Sequence, residues 1–146
     1  MNKLNIRWQR LIFEGDTCPR CGGTEQELEN AVATLQQSLR PLGIEIELDK
    51  QKISVEEFKQ EPLKSNMIYI EDKPIEKWIG GEVGQSQCCD VCGPTDCRTI
   101  SVDGKRYETI PSDLIVKACL RAASDLIKNN ENSCCDKETK NNLSCC

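Results

Sequence analysis

The residues best suited to chemistry are Cys18 and Cys21, in the stretch Asp16-Thr17-Cys18-Pro19-Arg20-Cys21-Gly22-Gly23. The residues before them alternate like a strand and those after them repeat like a helix, so the two thiols stand at a strand-to-helix junction. A thiol at a helix start faces backbone N–H groups with no intrahelical partner and the positive end of the helix dipole. Both favour thiolate over thiol. Arg20 adds a positive charge between the two cysteines, and Pro19 suits an early helical position, where its missing N–H costs nothing. The Cys-x-x-Cys spacing lets the pair close a disulfide or grip one soft metal ion. Cys18 is expected to be the exposed thiolate that attacks a disulfide or captures an ion. Cys21 would resolve the mixed disulfide or complete the chelate, and Arg20 would assist ionisation of Cys18.

The chain holds eleven cysteines and no histidine. An odd count leaves at least one thiol unpaired within the chain, and the lack of histidine removes Cys-His nucleophile pairs and mixed Cys/His zinc sites. A transition-metal site here must be rich in thiolate, which selects zinc, Cu(I), iron–sulfur clusters or heavier thiophiles such as mercury and trivalent arsenic. Cys88, Cys89, Cys92 and Cys97 form a second group that can wrap one tetrahedral ion. They also leave a bland reading, a zinc clip that orders a loop. Cys89-x-x-Cys92-Gly93 matches Cys18-Pro19-x-Cys21-Gly22 as a second knuckle, so a structural Cys₄ zinc site is an alternative to redox work at the first pair. Cys134-Cys135 and Cys145-Cys146 form a third group, read either as an arm for capturing a thiophilic ion or as an unconstrained terminus. Cys119 falls on the apolar face of a helix and reads as core.

Composition narrows the classes further. The chain has 146 residues and a formal net charge of −5, enough length for one domain with a real core and no electrostatic case for nucleic acid or anionic membranes. No apolar run is long enough to span a bilayer. The first residues lack an apolar signal core, so a cytoplasmic location is expected, where a structural disulfide framework is the weaker reading.

The elements that must position the thiols follow from periodicity. Leu4, Ile6 and Trp8 alternate with polar residues as a first strand. Leu28, Ala31, Val32, Leu35 and Leu39 share one face of a helix over about 24–39, with Glu25, Glu27 and Glu29 on a solvated face, and Pro41-Leu42-Gly43 ends it. Ile44, Ile46 and Leu48 alternate as a second strand. Ser54 and Glu57 make a capping box for a short helix over 55–60, and 67–70 is a short buried strand. The stretch 75–79 fits either a helical turn or a strand. Residues 80–97 read as a Gly- and Cys-rich loop, 98–102 and 105–110 as a hairpin about Asp103-Gly104, and Ser112 as the cap of a last helix. The expected domain covers 1–128 with a Cys-rich insertion at 80–97, and 129–146 is expected to be a disordered tail.

This order, βαβαββα, with a Cys-x-x-Cys after the first strand, resembles the thioredoxin fold. More narrowly, Thr17-Cys18-Pro19-Arg20-Cys21-Gly22-Gly23-Thr24, the segment 65–78, Cys88-Cys89-Asp90-Val91-Cys92-Gly93, Cys97-Arg98-Thr99 and the segment 107–114 resemble a family of small bacterial and archaeal thioredoxin-like proteins of unassigned function. The resemblance covers about 4–126 and implies an α/β thioredoxin-like fold with a redox-type motif. In that topology the 80–97 loop would leave the end of the sheet opposite the Cys18 turn. Thioredoxin-like proteins also carry a cis-proline at the start of the third strand. Asn66 and Met67 stand there instead. A non-proline cis bond costs about 3 kcal/mol, so a trans bond is expected, with a more open face at Cys18. The paired tail cysteines are similar to those of arsenic metallochaperones, which share this fold. The functional expectation is a thioredoxin- or glutaredoxin-like thiol protein, possessing thiol–disulfide oxidoreductase activity, soft metal(loid) binding or both. A metal(loid) chaperone or resistance protein and a structural zinc protein are the alternatives. The partner would be a thiol or disulfide protein or a soft ion, and the cofactor, where there is one, zinc or another thiophilic metal.

Overall fold

The computed structural model describes residues 2–12, 15, 18–87 and 96–135 of the chain, with side-chain surroundings through residue 129. The elements run β1 (Asn2–Leu11), α1 (Pro19–Leu39), β2 (Ile44–Ile53), α2 (Val55–Gln60), β3 (Met67–Ile70), β4 (Lys73–Pro74), α3 (Ile75–Ile79), β5 (Glu82–Gln87), β6 (Asp96–Val102), β7 (Lys105–Tyr107) and α4 (Ser112–Cys135). The fold is mixed α/β with two sheets among the described residues, one ordered β2-β1-β3-β4 and one ordered β5-β6-β7. β1 and β2 are parallel in a register from Asn2↔Ile44 to Leu11↔Ile53, and α1 is their crossover. β3 runs antiparallel to β1, and the two-residue β4 antiparallel to β3.

The core follows the alternation in β1. Leu4, Ile6 and Trp8 pack with Leu28, Leu35 and Leu39 of α1, Ile44 and Ile46 of β2, Ile68 and Ile70 of β3, and Ile115, Ala118 and Cys119 of α4. Burying each large aliphatic side chain is worth roughly 1.5–3 kcal/mol, so this cluster is the main source of stability. A second, smaller cluster sits at the far ends of the parallel strands, where Leu11 and Ile53 meet Phe58, Cys18 and Cys97.

Local signals set most boundaries. Gly43 takes φ 73 after the 3₁₀ turn Arg40–Leu42 and ends α1. Ser54 and Glu57 complete the capping box of α2. Asp103 and Gly104 both have positive φ, 52 and 80, as a two-residue hairpin turn requires. The ambiguous stretch 75–79 is helical and becomes α3.

Four expectations are corrected. The 98–102 and 105–110 hairpin does not extend the sheet that holds β1. It forms a separate sheet with β5, and the fourth strand beside β3 is the short β4. Residues 82–87 are a strand rather than loop, because Gly84 lets β5 close on β6: a Cβ there would lie 2.8 Å from Thr99 Oγ1. Ser112 is the first residue of α4 rather than its cap, and its N–H donates to Glu27 of α1 at 3.0 Å. Regular structure does not stop at Asn129. With no glycine or proline between Ser112 and Cys135, α4 continues to Cys135.

The two sheets are tied by a buried ion pair. Arg98 of β6 donates from Nη2 to Glu76 Oε1 of α3 and from Nη1 to the Leu63 carbonyl at 3.1 Å. Glu76→Ala strands the Arg98 charge and is expected to cost about 3–5 kcal/mol, while the double variant Glu76→Leu/Arg98→Met recovers most of it. Urea midpoints of the variants check both numbers. Burial also pushes the Cys119 thiol up from 9.0 to about 12. The unfolded chain therefore loses this proton first as pH rises. Its contribution is complete below pH 9.0 and falls away toward pH 12, and Cys119→Ala is expected to flatten the alkaline fall in urea midpoint.

Candidate functional site

The Cys-x-x-Cys turn joins the end of β1 to α1. Cys18 is the N-cap, with φ −56 and ψ 143, and its carbonyl accepts the Gly22 N–H at 2.9 Å. Pro19 occupies the first helical position, as its fixed φ and missing N–H favour. Among the described residues no side-chain hydrogen bond caps this helix start. The bend is held by the close approach of 108–112 to the start of α1. A Cβ on Gly23 would lie 3.1 Å from Thr109, the Thr24 hydroxyl accepts the Ile110 N–H at 3.2 Å, and Glu27 takes the Ser112 N–H.

Cys18 is not exposed. Both Cys18 and Cys21 are 2% accessible, which corrects the expectation of an open thiolate face. Their surroundings differ. Cys21 packs in the main core, with its Sγ 3.8 Å from Ser65 Oγ. Cys18 packs in the smaller cluster with Leu11, Ile53, Phe58 and Cys97. The Asn66–Met67 bond is trans, as expected, since no described peptide bond is cis. Of Asn66 and Met67, Asn66 is buried, as is the preceding Ser65. Ser65 Oγ accepts the Leu11 N–H at 3.0 Å, and Asn66 Oδ1 accepts the Trp8 indole N–H at 3.1 Å. Asn66 holds φ 62, a left-handed conformation that asparagine tolerates better than most residues. Spacing alone did not single out these two residues. The signals in the sequence are the segment 65–78 of the family resemblance and, for Asn66, its place at the expected cis-proline position.

Arg20 is a structural contact between α1 and β5. Its Nη2 donates to Ser86 Oγ and to the Gln87 carbonyl, both at 3.0 Å, and lies 3.5 Å from the Glu108 carboxylate. The side chain is 8% accessible, and Nη1 is buried with no hydrogen-bond partner among the described residues. The end of β5 is thereby fixed to the first turn of α1. Ser86 and Gln87 pair in turn with Cys97 and Asp96 of β6. The base of the Cys-rich segment therefore lies beside the Cys18 turn and not at the opposite end of a sheet, because the hairpin that carries it belongs to the second sheet.

Of the other expected ligands, Cys97 is described and buried. Cys88, Cys89, Cys92, Cys145 and Cys146 lie outside the described residues. Cys134 and Cys135 are the last residues of α4, and their side chains also lie outside what is described. Among the described residues no three Cys, Asp or Glu side chains are grouped to hold a metal ion. Glu25 and Glu29 are not merely solvated. They clasp Lys50 of β2 at 3.1 and 2.5 Å, and the Glu29 carboxylate foremost raises the Lys50 pKa.

Asn66→Ala removes the acceptor of the buried Trp8 N–H, worth about 1–3 kcal/mol, and forces alanine into a left-handed conformation at about 1–2 kcal/mol more. Asn66→Gly is expected to lose the first part only, so the difference between the two urea midpoints measures the backbone part.

Among the described residues no helix is long and apolar enough to cross a membrane. No solved structure matches the chain. An uncharacterized protein of Archaeoglobus fulgidus is 43% identical over 113 residues, covering 77% of this chain and 82% of that protein. A family profile described as a domain of unknown function, DUF2703, matches residues 4–119, so the segment that carries the Cys-x-x-Cys turn, both sheets and the start of α4 belongs to this family.

Proposed function

We propose that the chain is a thiol protein on a thioredoxin-like scaffold, with thiol–disulfide exchange centred on Cys18 and Cys21. The observation that carries this reading is the position of the pair across the first turn of α1, directly after the central strand of a sheet in which β2 is parallel and β3 antiparallel to β1. A helix N-terminus stabilises a thiolate placed at it. The sheet order β2-β1-β3-β4 supports the thioredoxin-like reading, in which Asn66 and Met67 would take the place of the cis-proline of thioredoxin-like proteins. In the reaction, the Cys18 thiolate would attack a disulfide sulfur and release one thiolate. A second thiol, Cys21 by spacing, would then displace the other half. Burial of both sulfurs favours small disulfides over bulky protein ones.

A second reading is a closed site for a thiophilic ion, in the manner of a soft metal(loid) carrier or a structural zinc centre. Its support is that Cys18 and Cys97 are buried in one cluster, with Cys21 buried three residues further along α1. Thiolate donors with no histidine suit such an ion.

Elemental analysis and thiol counting on the purified full chain, before and after reduction, separate these readings. Exchange predicts a two-electron couple near about −270 to −200 mV in a glutathione redox buffer, abolished by Cys18→Ser. Zinc present as purified, with unfolding on chelation, would overturn exchange in favour of the metal centre.

A further inference from the structure

The geometry points to Cys97, rather than Cys21, as the thiol that closes a disulfide with Cys18. This rests on the exchange reading above and names the partner within that site. The spacing of the motif pairs Cys18 with Cys21, but the two thiols belong to different hydrophobic clusters. Cys21 is built into the main core against Ser65, whereas Cys18 and Cys97 share one buried cluster with Leu11, Ile53 and Phe58.

The shared cluster has a structural cause. Cys97 is the second residue of β6, paired in register with Ser86 of β5. Arg20 grips Ser86 Oγ and the Gln87 carbonyl, and Glu108 closes on the same guanidinium. Arg20 is two positions beyond Cys18, so the end of the hairpin is bolted to the turn that presents Cys18. On the opposite side of β6, Arg98 is anchored to Glu76 and the Leu63 carbonyl. With Arg98 held outward from the cluster, strand alternation turns Cys97 toward it. A thiol far away in sequence is thus held with Cys18 by two independent anchors.

The step balances without an external cofactor when the substrate is a low-molecular-weight disulfide. The Cys18 thiolate attacks one sulfur, forming a mixed disulfide and releasing one thiolate. The Cys97 thiolate attacks the Cys18 sulfur, forming the Cys18–Cys97 bond and releasing the second. Two protein thiols are oxidised, the substrate disulfide is reduced to two thiols, and the two protons follow the leaving groups.

The test treats the full chain with oxidised glutathione, quenches it with acid, alkylates it and maps the disulfide-linked peptides by mass spectrometry without reduction. The wild-type map is expected to join the peptides of Cys18 and Cys97. Cys21→Ser should keep that link. Cys97→Ser should stop at the Cys18–glutathione adduct, with Cys97→Ala as the replacement where the hydroxyl prevents folding. A Cys18–Cys21 link that survives Cys97→Ser, or a link from Cys18 to any other cysteine, overturns the assignment and leaves exchange at Cys18 standing. A map in which Cys18 forms neither adduct nor link overturns both, and makes Cys18 and Cys97 packing residues alone.

Discussion

One guanidinium holds the arrangement together. Arg20 projects from the first turn of α1 and meets the end of β5 and the Glu108 carboxylate. Charge-assisted hydrogen bonds of this kind are about twice as strong as neutral ones, and here they run from α1 to the second sheet. The second sheet is also joined to the first by Ile100 and Val102 of β6 in the main core, by the Arg98–Glu76 pair and by the docking of 108–112 on α1. The local geometry of the thiols depends on the Arg20 contact, since it determines what stands beside the Cys18 turn. A residue that the sequence suggests as an electrostatic aid to one cysteine is, in the fold, a brace between two layers.

Burial divides the motif into unequal halves. Cys21 lies toward the large core of β1, α1 and α4, with a serine hydroxyl against its sulfur. Cys18 lies in a small buried cluster made from the ends of β1 and β2, from α2 and from the start of β6. A motif written as two equivalent cysteines thus becomes one thiol embedded in the body of the domain and one held where several elements end.

The elements around the motif were largely legible. β1, α1 and β2 have regular apolar periods, and the capping box of Ser54 and Glu57 and the Asp103-Gly104 turn act through local chemistry that needs no distant partner. β5 was illegible for a physical reason. Glu82-Val83-Gly84-Gln85-Ser86-Gln87 is largely exposed and has no apolar alternation, so it is a strand only because β6 lies beside it. The same dependence on distant residues hid the state of the thiols. Cys18 is covered by Ile53, Phe58 and Cys97, none of which is near it in the chain. The roles of Glu27 and Ser65 were hidden likewise, because a carboxylate that receives a helix N–H from another element resembles any surface glutamate in sequence.

The antiparallel register of β5 and β6 has a consequence for the segment between them. Gln87 and Asp96 already face each other as a strand pair, so the ends of the intervening segment are brought together by the sheet and not by the segment itself. Lengthening such a connection costs only about 0.6 kcal/mol per doubling. Gln87 and Asp96 are kept side by side by the β5–β6 ladder itself, with the Gln87 carbonyl gripped by Arg20 from the turn that carries Cys18.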